Sequence, residues 1–343
     1  MTEFRVGIIG CGNIFPMHSI SIGQQENAKL VAVCDIKEER AKAKAEEYHC
    51  SYYLDYREMI NKANLDVVHI CTPHYLHAPM AVYAANHGVH VLTEKPMAIT
   101  LTDAHAMVDA AKKNRVTLGV VFQNRYNPGS RLIKETLNSG KLGKIISSRL
   151  FVTWKRTDDY YSKSDWKGTW DKEGGGVIIN QAIHTLDLAL WFTDSEIEFV
   201  EANIYNRTHV NVDVEDVAEG LIRYKNGVIS CFYANNYYGY DAPVEIELYC
   251  ENGIAKLTSD SGMVCLNDGC KMEANPNQQE FISYGNVKQY WGVSHIKQIT
   301  NYYNALGQHI RPDIDGMEAI KTQELICAIY ESGKRKRRFI FSK

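Results

Sequence analysis

The run Gly174 to Asp187, GGGVIINQAIHTLD, sets Asn180, His184 and Asp187 at i, i+4 and i+7 on a helix-compatible segment, so that amide, imidazole and carboxylate form one polar stripe. Beside it Ile179, Ile183, Leu186 and Leu190 make an apolar stripe that presses the helix onto a core and turns the polar groups towards whatever lies in front. Three glycines just ahead let backbone approach closely. Taken alone, the segment reads equally well as a capped helix with a satisfied histidine. A second constellation, Thr93-Glu94-Lys95-Pro96, closes an apolar run, and Pro96 restricts Lys95 to extended or turn geometry. An exposed pair with Glu94 is the plainer reading of that lysine. Burial and a nearby positive charge bring a lysine or imidazole towards neutrality, as an acid/base at an alcohol losing hydride requires.

A third constellation supplies a place for such a hydride acceptor. Residues 4–9, FRVGII, lead into Gly10-Cys11-Gly12-Asn13-Ile14-Phe15 and a helix-compatible stretch to about Gln25, the strand, glycine turn and helix of a dinucleotide site. Gly10 and Gly12 give the tight turn and the close approach to a pyrophosphate at the positive end of the helix. Phe15 departs from the pattern, standing where a third small residue is common. Asp35 ends a second strand, Leu30 to Cys34, where a carboxylate accepts from both ribose hydroxyls and repels a 2′-phosphate. That favours NAD, while Lys37 and Arg40 leave NADP open, and a helix N-cap is the alternative role for Asp35.

The elements that must position these groups alternate through the first third of the chain. Glu38 to Tyr48 reads as a surface helix, Val67 to Cys71 as a buried strand, Ala78 to His87 as a helix, Val89 to Thr93 as a strand, Thr102 to Asn114 as a helix and Thr117 to Phe122 as a strand. Such alternation predicts an α/β fold with an N-terminal Rossmann, doubly wound parallel sheet over 1–123. Beyond Asn124 the pattern changes to apolar runs paired across turns: Val217 to Tyr224 with Val228 to Asn235 around Lys225-Asn226-Gly227, and Val244 to Tyr249 with Ile254 to Leu257 around Glu251-Asn252-Gly253. Residues 124–311 are therefore expected to form an α+β substrate-binding and oligomerisation domain with a large, mostly antiparallel open sheet. Residues 312–343 are expected to give a helix, Met317 to Glu331, packing back on the first domain, and a final strand.

Size and composition bound the alternatives. A chain of 343 residues exceeds what one hydrophobic core usually supports, and 45% hydrophobic with 23% charged residues is ordinary for a globular protein. A net charge of −3 gives no global field for nucleic acid, and the basic run Lys334 to Arg338 reads as a solvated turn before the last strand. Nine scattered cysteines without a CxxC pair signal neither a metal site nor a redox dithiol, and point to reduced, cytoplasmic protein. With no secretory leader and no window of about 18 apolar residues, no membrane span is expected.

Gly10-Cys11-Gly12, Cys71-Thr72-Pro73 with His77, Glu94-Lys95-Pro96 and the Gly174 to Asp187 block follow one another in a specific order and spacing. Through them nearly the whole chain resembles the family of glucose-fructose oxidoreductase, inositol dehydrogenase and related MocA-like proteins (Gfo/Idh/MocA). The resemblance implies Lys95 as the catalytic lysine and His184 as the acid/base residue at the reacting hydroxyl, with Thr72, Pro73 and His77 bordering the nicotinamide and its ribose. Asn13, Ile14, Glu94 and Gln123 complete the expected cofactor contacts, and Arg125 is a further candidate nearby. Many members carry an aspartate at the position of Asn180; an amide cannot accept a proton, so transfer falls to His184 and Lys95 while Asn180 orients the hydroxyl or the lysine. Asp187 is placed to fix the tautomer of His184. Trp154-Lys155-Arg156 and Tyr160-Tyr161, then Trp166-Lys167-Gly168-Thr169-Trp170, bring aromatic planes and cations that suit a polyhydroxylated ring, with Arg156 expected to pair with a carboxylate or phosphate on such a substrate and Tyr160 and Trp166 as ring contacts. Ordinary interface or core packing is the alternative for the tryptophans, and a solvated face for Lys155 and Arg156. Together these features are similar to members that oxidise C3 of glycosidic or nucleotide-linked sugars with NAD. The rival readings are transient C3 oxidation with bound NAD that cleaves a glycosidic bond, an inositol dehydrogenase, and an NAD(P)-binding regulator without catalysis. A homodimer or homotetramer covering the open sheet is expected, with no nucleic-acid partner.

Overall fold

In the computed structural model, residues 3–277, 284 and 294–341 are described. β1 (Phe4–Ile9) is followed by α1 (Phe15–Gly23), β2 (Ala28–Cys34), α2 (Glu38–Tyr48), β3 (Ser51–Tyr53), α3 (Tyr56–Lys62), β4 (Val67–Ile70), α4 (His74–Asn86), β5 (His90–Thr93), α5 (Leu101–Asn114) and β6 (Leu118–Val120). The strands pair in parallel in the order β3-β2-β1-β4-β5-β6, the order of a doubly wound dinucleotide-binding sheet. The interiors of β1 and β4 are buried on both faces, as a helix-covered parallel sheet requires. Two short elements have no counterpart in the sequence reading: the edge strand β3, and α3, whose N-cap Asp55 accepts from Arg57 N at 2.8 Å. α4 begins one turn ahead of the expected Ala78, with Pro79 inside it.

The second pattern starts with α6 (Pro128–Asn138), β7 (Ile145–Thr153), α7 (Asp158–Ser162), a π-helical turn at Ile178–Ala182 and α8 (Ile183–Thr193). β8 (Ile197–Tyr205), β9 (Val217–Tyr224), β10 (Ile229–Asn235), β11 (Glu245–Cys250), β12 (Gly253–Thr258), β13 (Ser261–Leu266) and β14 (Lys271–Ala274) follow, and α9 (His295–Gln308), α10 (Gly316–Arg335) and β15 (Phe339–Ile340) close the chain. The sheet runs β14-β13-β12-β11-β7-β10-β9-β8-β15, antiparallel except for the β7–β10 pair. Burial alternates along β11 and β12, so one face packs and the other is open. The basic run lies over aromatic rings: Lys334 Nζ is 3.8 Å from the Trp170 ring centre and Arg338 is 3.9 Å from that of Phe199, next to Glu201 at 3.0 Å.

Contacts divide the chain into one compact unit of residues 1–123 with 281–320 and another of 124–280 with 321–343. The sequence reading placed 281–311 in the second domain, and residues 281–283 and 285–293 of that stretch lie outside the described residues. α9 joins the first unit because its apolar stripe, Ile299, Tyr302, Tyr303 and Leu306, enters the core formed by Val6, Ile8, Phe15 and Ile22. The helix that returns is therefore α9, whereas α10 from residue 321 belongs to the second unit. Among the described residues no helix is long and apolar enough to cross a membrane. Ile299→Ala, which leaves a cavity under a fully buried side chain, is expected to cost about 2–5 kcal/mol in chemical unfolding. An unchanged unfolding curve would show that α9 is not part of that core.

Candidate active site

Gly10 takes φ of +98°, and a Cβ there would stand 2.5 Å from the carbonyl oxygen of Cys71. Only glycine fits, so β1 can end hard against the turn that follows β4. A Cβ on Gly12 would instead meet nothing within 4 Å, which leaves open space at the second glycine. Asn13 and Ile14 lead into α1, whose first turn has neither a side-chain cap nor an acidic residue, so its amides suit an anion. Asp35 follows β2 and fixes the turn: Oδ2 accepts from Cys11 N and Oδ1 from Lys37 N, each at 2.9 Å. The N-cap of α2 is Lys37, which disposes of the capping role for Asp35. A carboxylate has lone pairs beyond these two bonds, so Asp35 can still accept from ribose hydroxyls. These residues fit a dinucleotide. Burial pushes the Cys11 and Cys34 thiols up to about 12, in keeping with inert packing groups.

Lys95 leaves the end of β5 beside a carboxylate that is almost wholly enclosed. Glu94 is 8% exposed; its Oε1 lies 3.0 Å from His18 Nε2 and 3.5 Å from His295 Nε2, and its Oε2 accepts from Lys95 N at 3.3 Å. His18 Nδ1 lies 2.8 Å from His69 Nδ1, and His69 Nε2 lies 2.9 Å from the hydroxyl of Tyr303. Burial alone would raise the Glu94 carboxyl, but the imidazole hydrogen bonds overcome it and hold it well below the ordinary range. Burial, reinforced by the charge of His18, pulls His69 well below its usual value. An ionised Glu94 only accepts, so His18 donates to it through Nε2, and the bond between the two Nδ1 atoms links that pair through His69 to the Tyr303 hydroxyl. The Lys95–Pro96 peptide is cis. His77, expected beside the ribose, is buried with Nδ1 2.7 Å from Pro96 O and Nε2 2.8 Å from Thr72 O. It staples the Thr72–Pro73 turn to the Lys95–Pro96 turn, and burial lowers its pKa. Gln123, 3% exposed, ends the first segment of this unit.

In the second unit Gly175 and Gly176 admit other protein groups. A Cβ on Gly176 would fall 1.9 Å from the carbonyl oxygen of Glu215, and one on Gly175 equally close to the Tyr330 hydroxyl. The Glu215 carboxylate accepts from Gly176 N, Ile178 N and Tyr330 OH at 2.8, 3.0 and 2.9 Å, so it holds the entry to α8. Burial outweighs those donors and pushes its carboxyl up to about 7. The expected single helix is interrupted by the π-helical turn, which carries Asn180 and moves it off the regular stripe; His184 lies in the first turn of α8. Asp187 does not serve as expected: Arg125 grips both its oxygens at 2.8 and 2.7 Å and Thr322 donates at 2.9 Å. A guanidinium fork outcompetes a single imidazole bond there, and Arg125 becomes a buried anchor of α8. Arg156 likewise has an internal partner, Asp241 Oδ1 at 2.9 Å, and lies 5.4 Å from the Tyr160 ring centre. The Tyr160 hydroxyl accepts from Asn180 Nδ2 at 3.1 Å, and Trp166 is half-buried beside Lys167, 5.6 Å from its ring centre.

The described structure thus gathers Gly10, Gly12, Asn13, Ile14 and Asp35 at one turn, Thr72, Pro73, His77, Glu94 and Lys95 at the neighbouring strand ends, and Tyr160 with Asn180 in the second unit. Sequence reasoning missed His18, His69, His295, Tyr303, Glu173 and Glu215. Only the two acids gave a local hint, as carboxylates in otherwise apolar or glycine-rich surroundings.

Residues 4–122 match the family described as an oxidoreductase family with an NAD-binding Rossmann fold, and residues 130–256 match the GFO/IDH/MocA C-terminal domain. The chain is 28% identical to the myo-inositol 2-dehydrogenase of Thermotoga maritima over 252 residues, covering 71% of this chain and 72% of that one. It is 30% identical to the D-glucoside 3-dehydrogenase of Escherichia coli over 246 residues, 66% of this chain and 69% of the other. The crystal structure of the WlbA dehydrogenase from Bordetella pertussis in complex with NADH and UDP-GlcNAcA matches it with a TM-score of 0.88 at 27% identity, over 100% of this chain and 99% of that chain.

Tyr303→Phe keeps the ring but removes the hydroxyl at the far end of the chain of bonds to Glu94. It is expected to cost about 1–3 kcal/mol in urea unfolding, because His69 Nε2 stays buried without that bond. A variant as stable as the parent would show that the Tyr303–His69 bond does not support the buried chain.

Proposed function

Because the chain belongs to the Gfo/Idh/MocA oxidoreductase family, whose first domain binds NAD, we propose that it moves hydride between NAD and C3 of a glycosidic or nucleotide-linked sugar. The observation that carries this reading is the full-length likeness to a dehydrogenase holding NADH and a UDP-linked sugar, supported by the similarity to a glucoside 3-dehydrogenase. When bound, the nicotinamide supplies the hydride acceptor. Gly10 and Gly12 with the first turn of α1 hold the pyrophosphate, and Asp35 accepts from the adenosine ribose and disfavours a 2′-phosphate.

The chain's own work is positioning and one proton transfer. Lys95, fixed through its backbone bond to the Glu94 carboxylate, holds the reacting hydroxyl by its ammonium. His184 takes the hydroxyl proton, and Asn180, which cannot, orients the oxygen. Arg125 on Asp187 keeps α8 from turning, so the imidazole is presented at one angle. Tyr160, Trp166 and Arg156 line the sugar's side of the second unit, the two rings offering faces to its C–H groups. A second copy of the chain on the open sheet is part of the same proposal.

Sugars, sugar acids, inositols and nucleotide sugars assayed with NAD and with NADP are expected to give net NADH at 340 nm for a C3-hydroxyl sugar, with NAD preferred. Lys95→Ala and His184→Ala should each lower kcat/KM about 10²–10⁴-fold while NADH binding persists. Undiminished turnover in both variants, or activity confined to inositols, would overturn the reading.

A further inference from the structure

We propose that Glu173 is a positioning residue that sets the hydrogen-bonding polarity of the sugar site, by taking the amino end of the Asn180 amide so that the carbonyl is the end that meets a substrate hydroxyl. This rests on the sugar-oxidoreductase reading. Glu173 is 1% exposed, and its carboxylate is bonded at both oxygens: Oε2 accepts from Gly168 N and Oε1 from Asn180 Nδ2, each at 2.5 Å. The second amide hydrogen is directed to the Tyr160 hydroxyl at 3.1 Å, which Gln181 Nε2 also approaches at 3.5 Å.

An ionised carboxylate is acceptor-only, so the orientation of the amide is dictated by chemistry. Turning it over would set carbonyl oxygen against carboxylate oxygen at that separation, removing a charge-assisted bond and adding a repulsive contact. Asn180 is therefore a one-way group, its amino end bonded within the protein and its carbonyl the end that accepts. The same pairing explains why an amide suits this position. A carboxylate at 180 would lie against Glu173, and two carboxyl groups so close cannot both ionise.

Among the described residues, Tyr161 of α7 and Tyr330 of α10 lie in the field of Glu173, Tyr160 shares its Asn180 partner with Lys167 over its ring, and Glu215 accepts from Tyr330. Burial first, and then nearby carboxylates including Glu173, hold the phenols of Tyr161 and Tyr330 above their ordinary value, so they stay neutral. Burial pushes the Glu215 carboxyl up to about 7, so each variant is compared with the parent at the same pH.

The test is the set Glu173→Gln, Asn180→Asp and the double exchange, each followed by Tm across pH 5–8 and by steady-state kinetics. In Asn180→Asp the shared proton raises a folded-state carboxyl pKa above its unfolded value. That contribution is complete at low pH and is lost as pH rises, so Tm should fall relative to the parent between pH 5 and 8. Its kcat/KM should drop at least about tenfold at pH 8, with a new ionisation in the pH profile. Glu173→Gln should let the amide invert and raise KM about fivefold or more, without that pH slope. In the double exchange the introduced glutamine donates to the introduced carboxylate, restoring a flat Tm profile and most of the lost activity. Asn180→Asp tracking the parent across the pH range, or a double exchange no better than it, would overturn the proposal. The melting series needs no substrate, so a parent without sugar turnover would sink the functional reading while the pairing is still judged.

Discussion

A carboxylate taken out of water must be compensated in full, and Glu94 is the group around which the first unit meets that demand. It stands where β5 ends, and the side chains that reach it come from α1 and α9, with β4 behind them through His69. The register of the helix that carries the dinucleotide turn, the end of the strand that carries Lys95 and the docking of a helix two hundred residues later are thereby one arrangement. Removing the anion would leave two buried imidazoles without their shared acceptor. Removing an imidazole would leave a buried charge poorly matched, the costlier of the two errors. Lys95 is thus presented on a backbone held from beneath, as a group that must place an ammonium against one hydroxyl requires.

The second unit solves a similar problem with different means. There the backbone of the glycine run is pressed onto Glu215 and Tyr330, and the first turn of the segment bearing Asn180 is bonded to a carboxylate instead of to a preceding turn of helix. Arg125, Asp187 and Thr322 lock the other side of α8. Two buried acids, Glu173 and Glu215, therefore bracket the π-helical turn, one at its entry amides and one at its amide side chain. A wider helical turn is tolerated because its donors have acceptors waiting.

What was legible in the chain follows from range. The glycine turn, Asp35 and the alternating buried strands are local patterns, and the structure places them as read; the two Asn-Gly turns of the second unit belong to the same class. His18, His69, His295 and Tyr303 show no mutual spacing in sequence, since a parallel sheet and a late helix bring them together, so no periodicity marks them. The stripe Asn180, His184, Asp187 was readable but misjudged, because a regular period of 3.6 does not survive a π-helical turn and because the partners of Asp187 lie 62 and 135 residues away. The place of α9 in the first unit was missed for a similar reason: α9 and α10 are both amphipathic, and sequence does not say which core each apolar face enters.

The central claim is that this scaffold passes hydride between a sugar carbon and nicotinamide. Turnover of a glycoside or UDP-linked sugar deuterated at C3, with NAD and with the released dinucleotide weighed by mass spectrometry, tests it most directly. One deuterium in the reduced nicotinamide ring is the predicted result. Reduced dinucleotide without the label, or sugar consumed with its label retained and no dinucleotide reduced, would contradict the account.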